Sequence, residues 1–270
     1  MRIGVIACKV FTRELCMAAA RSQSICDLHF LPQGLHDQPD LLREKLQYAL
    51  DRLEAVHRDA PAWRKLDAIA LCYGLCGGGT AGLRAGELPV VIPRTDDCIG
   101  VLLGSQERYL SRFLQGDGIY WFSPGWLEYA NTPSEQYYSE KFSAYEKSYG
   151  REAAEWLIQE ENNWMARYRE GVYISMPGIN NRPFAERAQK ACGYCGWEYR
   201  EADGSIAMID RLLAGGWDEQ EFLVCPPHGM TRQSFDGSKL QADAQCGGNQ
   251  PERLACVSEN GWRRKNGGCY

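Results

Sequence analysis

Three apolar segments of this chain have the composition of buried β-strands, and each of them ends on a cysteine. They are RIGVIAC, LDAIALC and EFLVC, which end at Cys8, Cys72 and Cys225. A fourth apolar run, LPVVIP, is followed after a short polar turn by Cys98. If these strands are parallel in one sheet, their carboxyl ends share the edge where open α/β sheets bind ligands. The pattern therefore predicts a cluster of thiols at a functional edge, which indicates a metal centre.

Strand-like and helix-like segments alternate along most of the chain, which predicts an α/β fold with a mainly parallel, Rossmann-like sheet flanked by helices. The strongest helical pattern runs from Pro39 to about His57, where leucines recur with the period of an α-helix. The segment Ser123 to Trp126 is expected to be a turn, and the chain from Pro226 onward to be loop-like. We expect an α/β domain, a helical insertion, a second α/β lobe and a Cys-rich tail, at residues 1–130, 131–170, 171–230 and 231–270.

Composition argues against several classes of protein. The net charge is −5 and no stripe of Lys and Arg exists to meet phosphates, so nucleic acid is not the expected partner. No apolar run reaches the ~18 residues of a membrane span. The chain enters its first strand without a signal-peptide pattern, which predicts a cytoplasmic protein. In the cytoplasm thiols stay reduced, so the 12 cysteines are not expected to form a disulfide framework.

The sharpest local motif is Cys72-x3-Cys76, which runs directly into Gly77, Gly78 and Gly79. Glycines allow backbone to approach a bulky ligand, and backbone N–H groups in such a turn stabilise negative charge. A phosphate-binding loop is an alternative, but the Gly-Lys-Ser/Thr ending and the dinucleotide spacing are both missing. A tight strand-to-helix turn is another. The presence of Cys76 and of the separate Cys98 favours metal ligation with the glycines as a cofactor cradle.

Three further residues are expected near the same edge. Cys98 lies just before a helix, whose N-terminus lowers the pKa of a thiol and favours the thiolate that metals need. Arg94 can add to that effect or bind an anionic substrate. His36 follows the second predicted strand, where it can serve as a ligand or transfer a proton, although a single loop histidine is often only a surface residue. We therefore assign His36 and Arg94 as candidate catalytic residues.

Cys192-x2-Cys195 has the spacing of zinc knuckles and of iron–sulfur motifs, but no second such pair follows it. The later thiols are widely separated, at Cys225, Cys246, Cys256 and Cys269. A second metal centre made by Cys192, Cys195 and these thiols, or their joining the first centre as a larger cluster, is one interpretation. Scattered, redox-silent thiols are the other.

With these residues identified, the chain resembles a family classed as a domain of unknown function. The similar segments span roughly residues 1–230 and are IACKVFTREL, FLPQGLHDQPDLLREKL, CYGLCGGGTAGL, IPRTDDCIGVLLGSQERY and YWFSPGW. The resemblance implies functional positions at Cys8, His36, Cys76 and Cys98, and it does not extend to the other thiols. Genes of this family often accompany corrinoid-dependent methyltransferase systems, which implies one-carbon metabolism and a corrinoid protein or methyltransferase as partner.

Three functions stay open at this point. The first is an iron–sulfur protein that supports corrinoid-dependent methyl transfer, by electron delivery or cofactor maintenance. The second is a zinc-dependent methyltransferase or hydrolase with a Cys/His site, in which zinc activates a thiol or a water. The third is a non-catalytic metal-binding partner of a methyltransferase. The sequence leaves open whether the protein is a redox enzyme, a methyl-transfer enzyme or no enzyme.

Overall fold

The computed structural model describes residues 1–113 and 118–243. Its strands are β1 (Arg2–Cys8), β2 (Ile25–Leu31), β3 (Ala68–Cys72), β4 (Val90–Pro93), β5 (Ile119–Phe122), β6 (Glu170–Ser175), β7 (Glu198–Asp203), β8 (Phe222–Cys225), β9 (Met230–Gln233) and β10 (Leu240–Asp243). Its α-helices are α1 (Thr12–Arg21), α2 (Pro39–Asp59), α3 (Cys98–Leu103), α4 (Gln106–Phe113), α5 (Pro124–Tyr129), α6 (Glu135–Tyr149), α7 (Arg151–Asn162), α8 (Arg182–Cys195) and α9 (Ala207–Ala214). Short 3-10 helices cover Lys9–Phe11, Leu35–Asp37, Ala62–Arg64, Cys76–Gly78 and Asn163–Arg167.

The central sheet has the strand order β2-β1-β3-β4-β8, and all of its strands except β8 are parallel. A smaller parallel sheet has the order β5-β6-β7, and β9 pairs with β10 as an antiparallel hairpin. Helices flank the central sheet, with α2 against β1 and α9 against β3 and β4. The predicted mixed α/β fold with a mostly parallel sheet is therefore confirmed.

The strand order creates a crevice at one place in the central sheet. The chain leaves β1 for β2 on one side and then crosses back to β3 on the other side. Because such crossovers are right-handed, α1 and α2 lie on opposite faces of the sheet. The two connections diverge at the carboxyl ends of β1 and β3, which is where open α/β sheets bind ligands.

The direction predicted for the last strand of this sheet is wrong. β8 runs antiparallel to β4, and Cys225 pairs with Val90, the first residue of β4. Cys225 therefore lies at the amino edge of the parallel strands, across the sheet from Cys8. A short apolar segment has the same composition in either direction, so the sequence carries no signal for this reversal.

Two other local expectations also differ from the structure. The segment after Ser123 is a helix, α5, whose first turn is capped by the Ser123 hydroxyl accepting from the Trp126 N–H at 3.1 Å. Pro124 at the first helical position is compatible with this start. The chain after Pro226 forms the β9–β10 hairpin rather than only loops. The rest of the expected Cys-rich tail, including Cys246, Cys256 and Cys269, lies outside the described residues.

The chain after residue 130, where a helical insertion and a second α/β lobe are expected, contributes strands to the central sheet and to the smaller parallel sheet. The segment 131–170, expected to be a helical insertion, contains α6 and α7, which pack together and meet near Gly150. The segment 171–230 contributes most of β6 and all of β7 to the smaller sheet and β8 to the central one. A cluster of buried aromatic side chains, including Phe122, Tyr173 and Trp197, forms the core of the smaller sheet.

In the described part of the chain, no helix has both the length and the apolar character needed to cross a membrane.

Glu14 on α1 is an ionisable group inside this core. Its side chain is fully buried, and neither carboxylate oxygen has a hydrogen-bond partner outside its own residue in the described part of the chain. Burial disfavours the charged form and raises the pKa of the Glu14 carboxyl from 4.5 to about 7. The folded protein therefore keeps a proton that the unfolded chain releases at lower pH.

We expect this carboxyl to make the protein less stable as pH rises. Between about pH 5 and about pH 8 the unfolded state binds fewer protons than the folded state, so the free energy of unfolding should fall by up to ~3 kcal/mol through this residue. Glu14→Gln cannot ionise, and its stability relative to the wild type should therefore increase with pH. Urea unfolding of both proteins across this range measures the difference, and a difference that does not change with pH would contradict the expectation.

Candidate metal-binding cavity

A cavity of about 460 Å³ opens at the crevice between the ends of β1 and β3. Three predicted metal ligands, Cys8, Cys76 and Cys98, line it together with His36. These residues come from four different connections of the chain, which only the tertiary fold brings together. Aromatic side chains form much of the remaining wall: Phe11, Tyr73, Tyr120, Trp121, Trp126 and Tyr168. The volume is in the range of small-molecule sites, which are mostly apolar with a few polar groups.

Cys76 and Cys98 approach each other because the loops after β3 and β4 are joined through their backbones. The Leu75 N–H donates to the Thr95 carbonyl, and the Cys76 N–H donates to the Asp96 carbonyl, both at 2.8 Å. Gly74 allows this contact, because a Cβ there would lie 2.7 Å from the backbone of Asp97. The two loops therefore behave as one unit that holds both thiols.

Strand register explains why Cys8 lines the cavity and Cys72 does not. Ala7 pairs with Cys72 across β1 and β3, so these two side chains share one face of the sheet. Cys8 and Tyr73 follow them and point to the other face, because successive side chains alternate along a strand. Cys72 is fully buried and is not among the residues that line the cavity. Cys72, which the sequence pattern predicts as a ligand together with Cys76 and Cys98, therefore does not line the cavity with them.

The glycines after Cys76 serve different purposes. Cys76, Gly77 and Gly78 all have positive φ, at 47°, 65° and 92°, so the chain turns sharply here. Gly77 lines the cavity, as expected for a residue close to a ligand. Gly79 instead packs against α2, where a Cβ would lie 2.5 Å from the Leu42 side chain. Only part of the predicted glycine cradle therefore faces the cavity.

The cavity thiols are held in their neutral form. Burial raises the pKa of Cys8, brings that of Cys76 to about 12 and raises that of Cys98 well above its usual range. The Asp97 carboxylate acts in the same direction on Cys76 and Cys98. The predicted lowering of the Cys98 pKa by the helix N-terminus is therefore wrong for this structure, because desolvation is the larger effect.

His36 lies at the rim of the cavity, in the 3-10 helix Leu35–Asp37. Its side chain is 44% exposed, and Nε2 is 3.4 Å from an Asp37 carboxylate oxygen. Its ring is 6.2 Å from the ring of Trp126, measured between centroids. The imidazole is therefore in contact with solvent while it lines the cavity.

Arg94 is not among the residues that line the cavity. Its guanidinium donates to the carbonyl oxygens of Glu219, Ser238 and Leu240 and so attaches the β9–β10 hairpin to the end of β4. The structure therefore places this candidate catalytic residue in a structural contact.

Sequence reasoning does not find several polar residues of the cavity, and Tyr73 and Asp97 are the two with the most distinctive contacts. The Tyr73 hydroxyl is buried and has no hydrogen-bond partner in the described part of the chain. Asp97 caps α3 by accepting from the Ile99 N–H at 2.8 Å, and it also accepts from the Tyr109 hydroxyl at 3.2 Å. Strand alternation after Cys72 was a signal that could have found Tyr73. Asp97 gives no such signal, because an acidic residue directly before a helix is already explained by capping.

The second predicted cysteine pair lies away from the cavity. Cys192 and Cys195 occupy the last turn of α8, where Cys192 is buried against the smaller sheet and its thiol lies 3.9 Å from the Gly171 carbonyl oxygen. Burial raises the pKa of Cys192 to about 11 and that of Cys195 to about 12. Because the tail thiols lie outside the described residues, a second metal site stays a prediction.

In residues 1–113 and 118–243 no three His, Cys, Asp or Glu side chains are already arranged to hold a metal ion. The structure brings Cys8, Cys76, Cys98 and His36 to one cavity, and their ligation of a metal stays a prediction.

Fold and cavity together define a class: a mixed α/β protein with a thiol-lined cavity at the carboxyl edge of a mostly parallel sheet. The family model described as "Protein of unknown function (DUF1638)" matches residues 30–213, so the chain belongs to this family. The matched region includes His36, Cys76 and Cys98, whereas Cys8 precedes it. No curated protein and no solved structure matches this chain.

Proposed function

We propose that this protein binds an iron–sulfur cluster through Cys8, Cys76 and Cys98 and supports corrinoid-dependent methyl transfer. One observation carries the proposal: three cysteines from three separate strand ends line one cavity with His36. Isolated structural cysteines have no reason to converge in this way. A doubly wound, Rossmann-like arrangement of the central sheet would account for the position of the site.

The chemistry of these residues fits such a group. Thiolates are the ligands of iron–sulfur clusters, and soft sulfur donors select for iron–sulfur centres, zinc and cuprous ions. Cys8 and Cys76 are buried and Cys98 is half-buried, and all three thiols are neutral. This arrangement is costly for groups that must ionise unless a cation compensates their charge. The unpartnered Tyr73 hydroxyl adds a buried donor that a bound sulfide or substrate could satisfy.

Each side chain of the cavity then has a distinct task. Cys8, Cys76 and Cys98 hold the group, which when bound supplies one-electron transfer. His36 at the rim can donate or accept a proton. The aromatic wall, represented by Trp121 and Trp126, excludes water and provides an apolar surface for a small ligand.

The proposed setting is one-carbon metabolism, with a corrinoid protein or methyltransferase as partner. It is supported by the resemblance to a family whose genes often accompany such systems. A corrinoid that has become oxidised must be reduced before it can accept a methyl group again. An iron–sulfur protein is suited to deliver those electrons, because clusters reach low reduction potentials.

A zinc enzyme is the second candidate, and the composition of the site favours it specifically. Three cysteines and His36 make the Cys₃His set of many zinc sites. Zinc held by two or three of these residues could activate a thiol or a water in the remaining position, as a methyltransferase or a hydrolase requires.

Metal and sulfide analysis of protein purified without oxygen tests the proposal. We expect stoichiometric iron and acid-labile sulfide, a brown colour and broad visible absorbance. Stoichiometric zinc in colourless protein would replace the iron–sulfur proposal by the zinc enzyme. Protein that contains neither metal after reconstitution with iron and sulfide, or with zinc, would contradict both.

A further inference from the structure

β2 forms one edge of the central sheet, and in the described part of the chain no strand pairs with its outer side. The N–H of Ile25 donates to the Met1 carbonyl at 2.9 Å, so the backbone groups of Ile25 face β1. The sides alternate along a strand, so every second residue after Ile25 also faces β1. The residues whose N–H and C=O groups face outward are therefore Cys26, Leu28 and Phe30.

In the described part of the chain this edge lacks several of the features that normally prevent strands from pairing. Natural proteins protect an edge with charged side chains, above all lysine, or with proline, a bulge or a covering element. The one acidic residue of β2, Asp27, is paired with Arg2 of the neighbouring strand. The sequence of β2, ICDLHFL, contains neither lysine nor proline, and its parallel register with β1 continues without a bulge from one end to the other. Seven regular residues with outward-facing donors and acceptors make a template for another strand.

The residues of β2 are complementary to a second copy of the same strand. In an antiparallel pair centred on Leu28, the two Leu28 residues face each other as a hydrogen-bonded pair. Cys26 of one copy then faces Phe30 of the other, which gives about six backbone hydrogen bonds, two for each pair. Asp27, whose carboxylate also accepts from the Arg2 guanidinium of its own chain, faces His29 of the other copy, and in such non-bonded pairs the side chains are closest. The two-fold axis repeats this pair of a carboxylate and an imidazole, so the strand is complementary to itself in its backbone hydrogen bonds and in this side-chain pair.

A groove with a mixed apolar and charged lining lies beside this edge. It has a volume of about 760 Å³ and lies between β2 and α2, and Asp27, His29 and Val56 all line it. Val56 and Ile25 are each 59% exposed, and Trp63, next to the groove residue Arg64, is 77% exposed. Exposed apolar side chains of this size are common in protein interfaces.

From these observations we infer that the protein forms a two-fold symmetric dimer through antiparallel pairing of β2, which joins the two central sheets into one. The edge lies at β2, whereas the thiol cavity lies where β1 and β3 end, so the inference does not depend on the proposed metal.

The mass in solution, measured by sedimentation equilibrium, tests this inference. The wild type should have twice the mass of one chain, and His29→Asp should weaken the dimer by at least about tenfold, because it places two carboxylates opposite each other at both symmetric positions. His29→Lys places a cation opposite Asp27 and should remain dimeric. His228→Asp is the matched control, since His228 is also exposed and lies outside β2. A monomeric wild type, or a His29→Asp protein as tightly dimeric as the control, would overturn the inference.

Amide hydrogen exchange gives a second, residue-specific test. In the dimer the amides of Cys26, Leu28 and Phe30 should be protected, as are those of Asp27 and His29, which pair with β1. In the His29→Asp monomer only the first set should exchange rapidly, so that protection alternates along the strand. A wild-type dimer in which Cys26, Leu28 and Phe30 exchange as rapidly as in the monomer would show that another surface mediates association.

Discussion

Replacing Cys76 by serine should reduce metal binding by at least about a hundredfold, because even residues that only support metal ligands cost up to that amount. The apolar strands that build the sheet do not depend on this thiol, so the far-ultraviolet circular dichroism should stay unchanged. Iron and sulfide content after anaerobic reconstitution, together with the visible spectrum, measures the effect. Cys8→Ser and Cys98→Ser should behave in the same way.

The chain offers two controls for that experiment. Cys225 is also fully buried, but it lies at the opposite end of the same sheet. Cys72 is close in sequence, but it points to the other face of β3. Cys225→Ala and Cys72→Ala should therefore retain the metal of the wild type. If Cys76→Ser keeps its full metal content, or if Cys72→Ala loses it, the proposed ligand set is wrong.

Gly74→Ala should both destabilise the protein and weaken metal binding. The added methyl group would lie 2.7 Å from the Asp97 Cα and backbone nitrogen and 2.8 Å from the Thr95 hydroxyl. These atoms cannot move independently, because backbone hydrogen bonds join the two loops at Leu75 and Cys76. We expect a loss of about 2–3 kcal/mol in the free energy of unfolding, typical of overpacking. The loops should also separate, which moves Cys76 away from Cys98.

Gly193→Ala is the matched control for this substitution. Gly193 lies within α8, and a Cβ there would have no atom within 4 Å. The alanine should leave metal binding unchanged and increase stability by about 0.5–1 kcal/mol, because glycine is a poor helix former. Urea unfolding and metal titration of both variants measure the two effects. Equal metal affinity in Gly74→Ala and the wild type would show that contact between the loops does not position the thiols.

Much of the fold could be predicted because its signals are local. The helix predicted from Pro39 to about His57 is α2, which spans Pro39–Asp59, and the predicted first strand, which ends at Cys8, is β1. Leucine periodicity and short apolar runs are properties of neighbouring residues, so no tertiary contact is needed to recognise them. A local signal can also be ambiguous. The four residues Ser-Pro-Gly-Trp are compatible with both a turn and the start of a helix, so the sequence does not predict the first turn of α5.

The candidate site was predictable where it depended on strand ends alone. Cys8, Cys76 and Cys98 follow parallel strands, and such ends meet at one edge in any sheet of this kind. Arg94 also follows a parallel strand, but its guanidinium donates hydrogen bonds to backbone carbonyls of Glu219 and of the β9–β10 hairpin instead of facing the cavity. No sequence signal indicated that a segment more than a hundred residues later would return to that position.

The sequence by itself determined which segments are strands and helices, and therefore which cysteines stand at strand ends, because hydrophobic period and turn residues act over a few positions. Only the tertiary structure decided which of those cysteines share a cavity. Strand direction excludes Cys225, and strand register turns Cys72 away while it turns Tyr73 inward. Direction and register depend on pairing between segments far apart in the chain, and a shift of one residue reverses every side chain from one face of the sheet to the other.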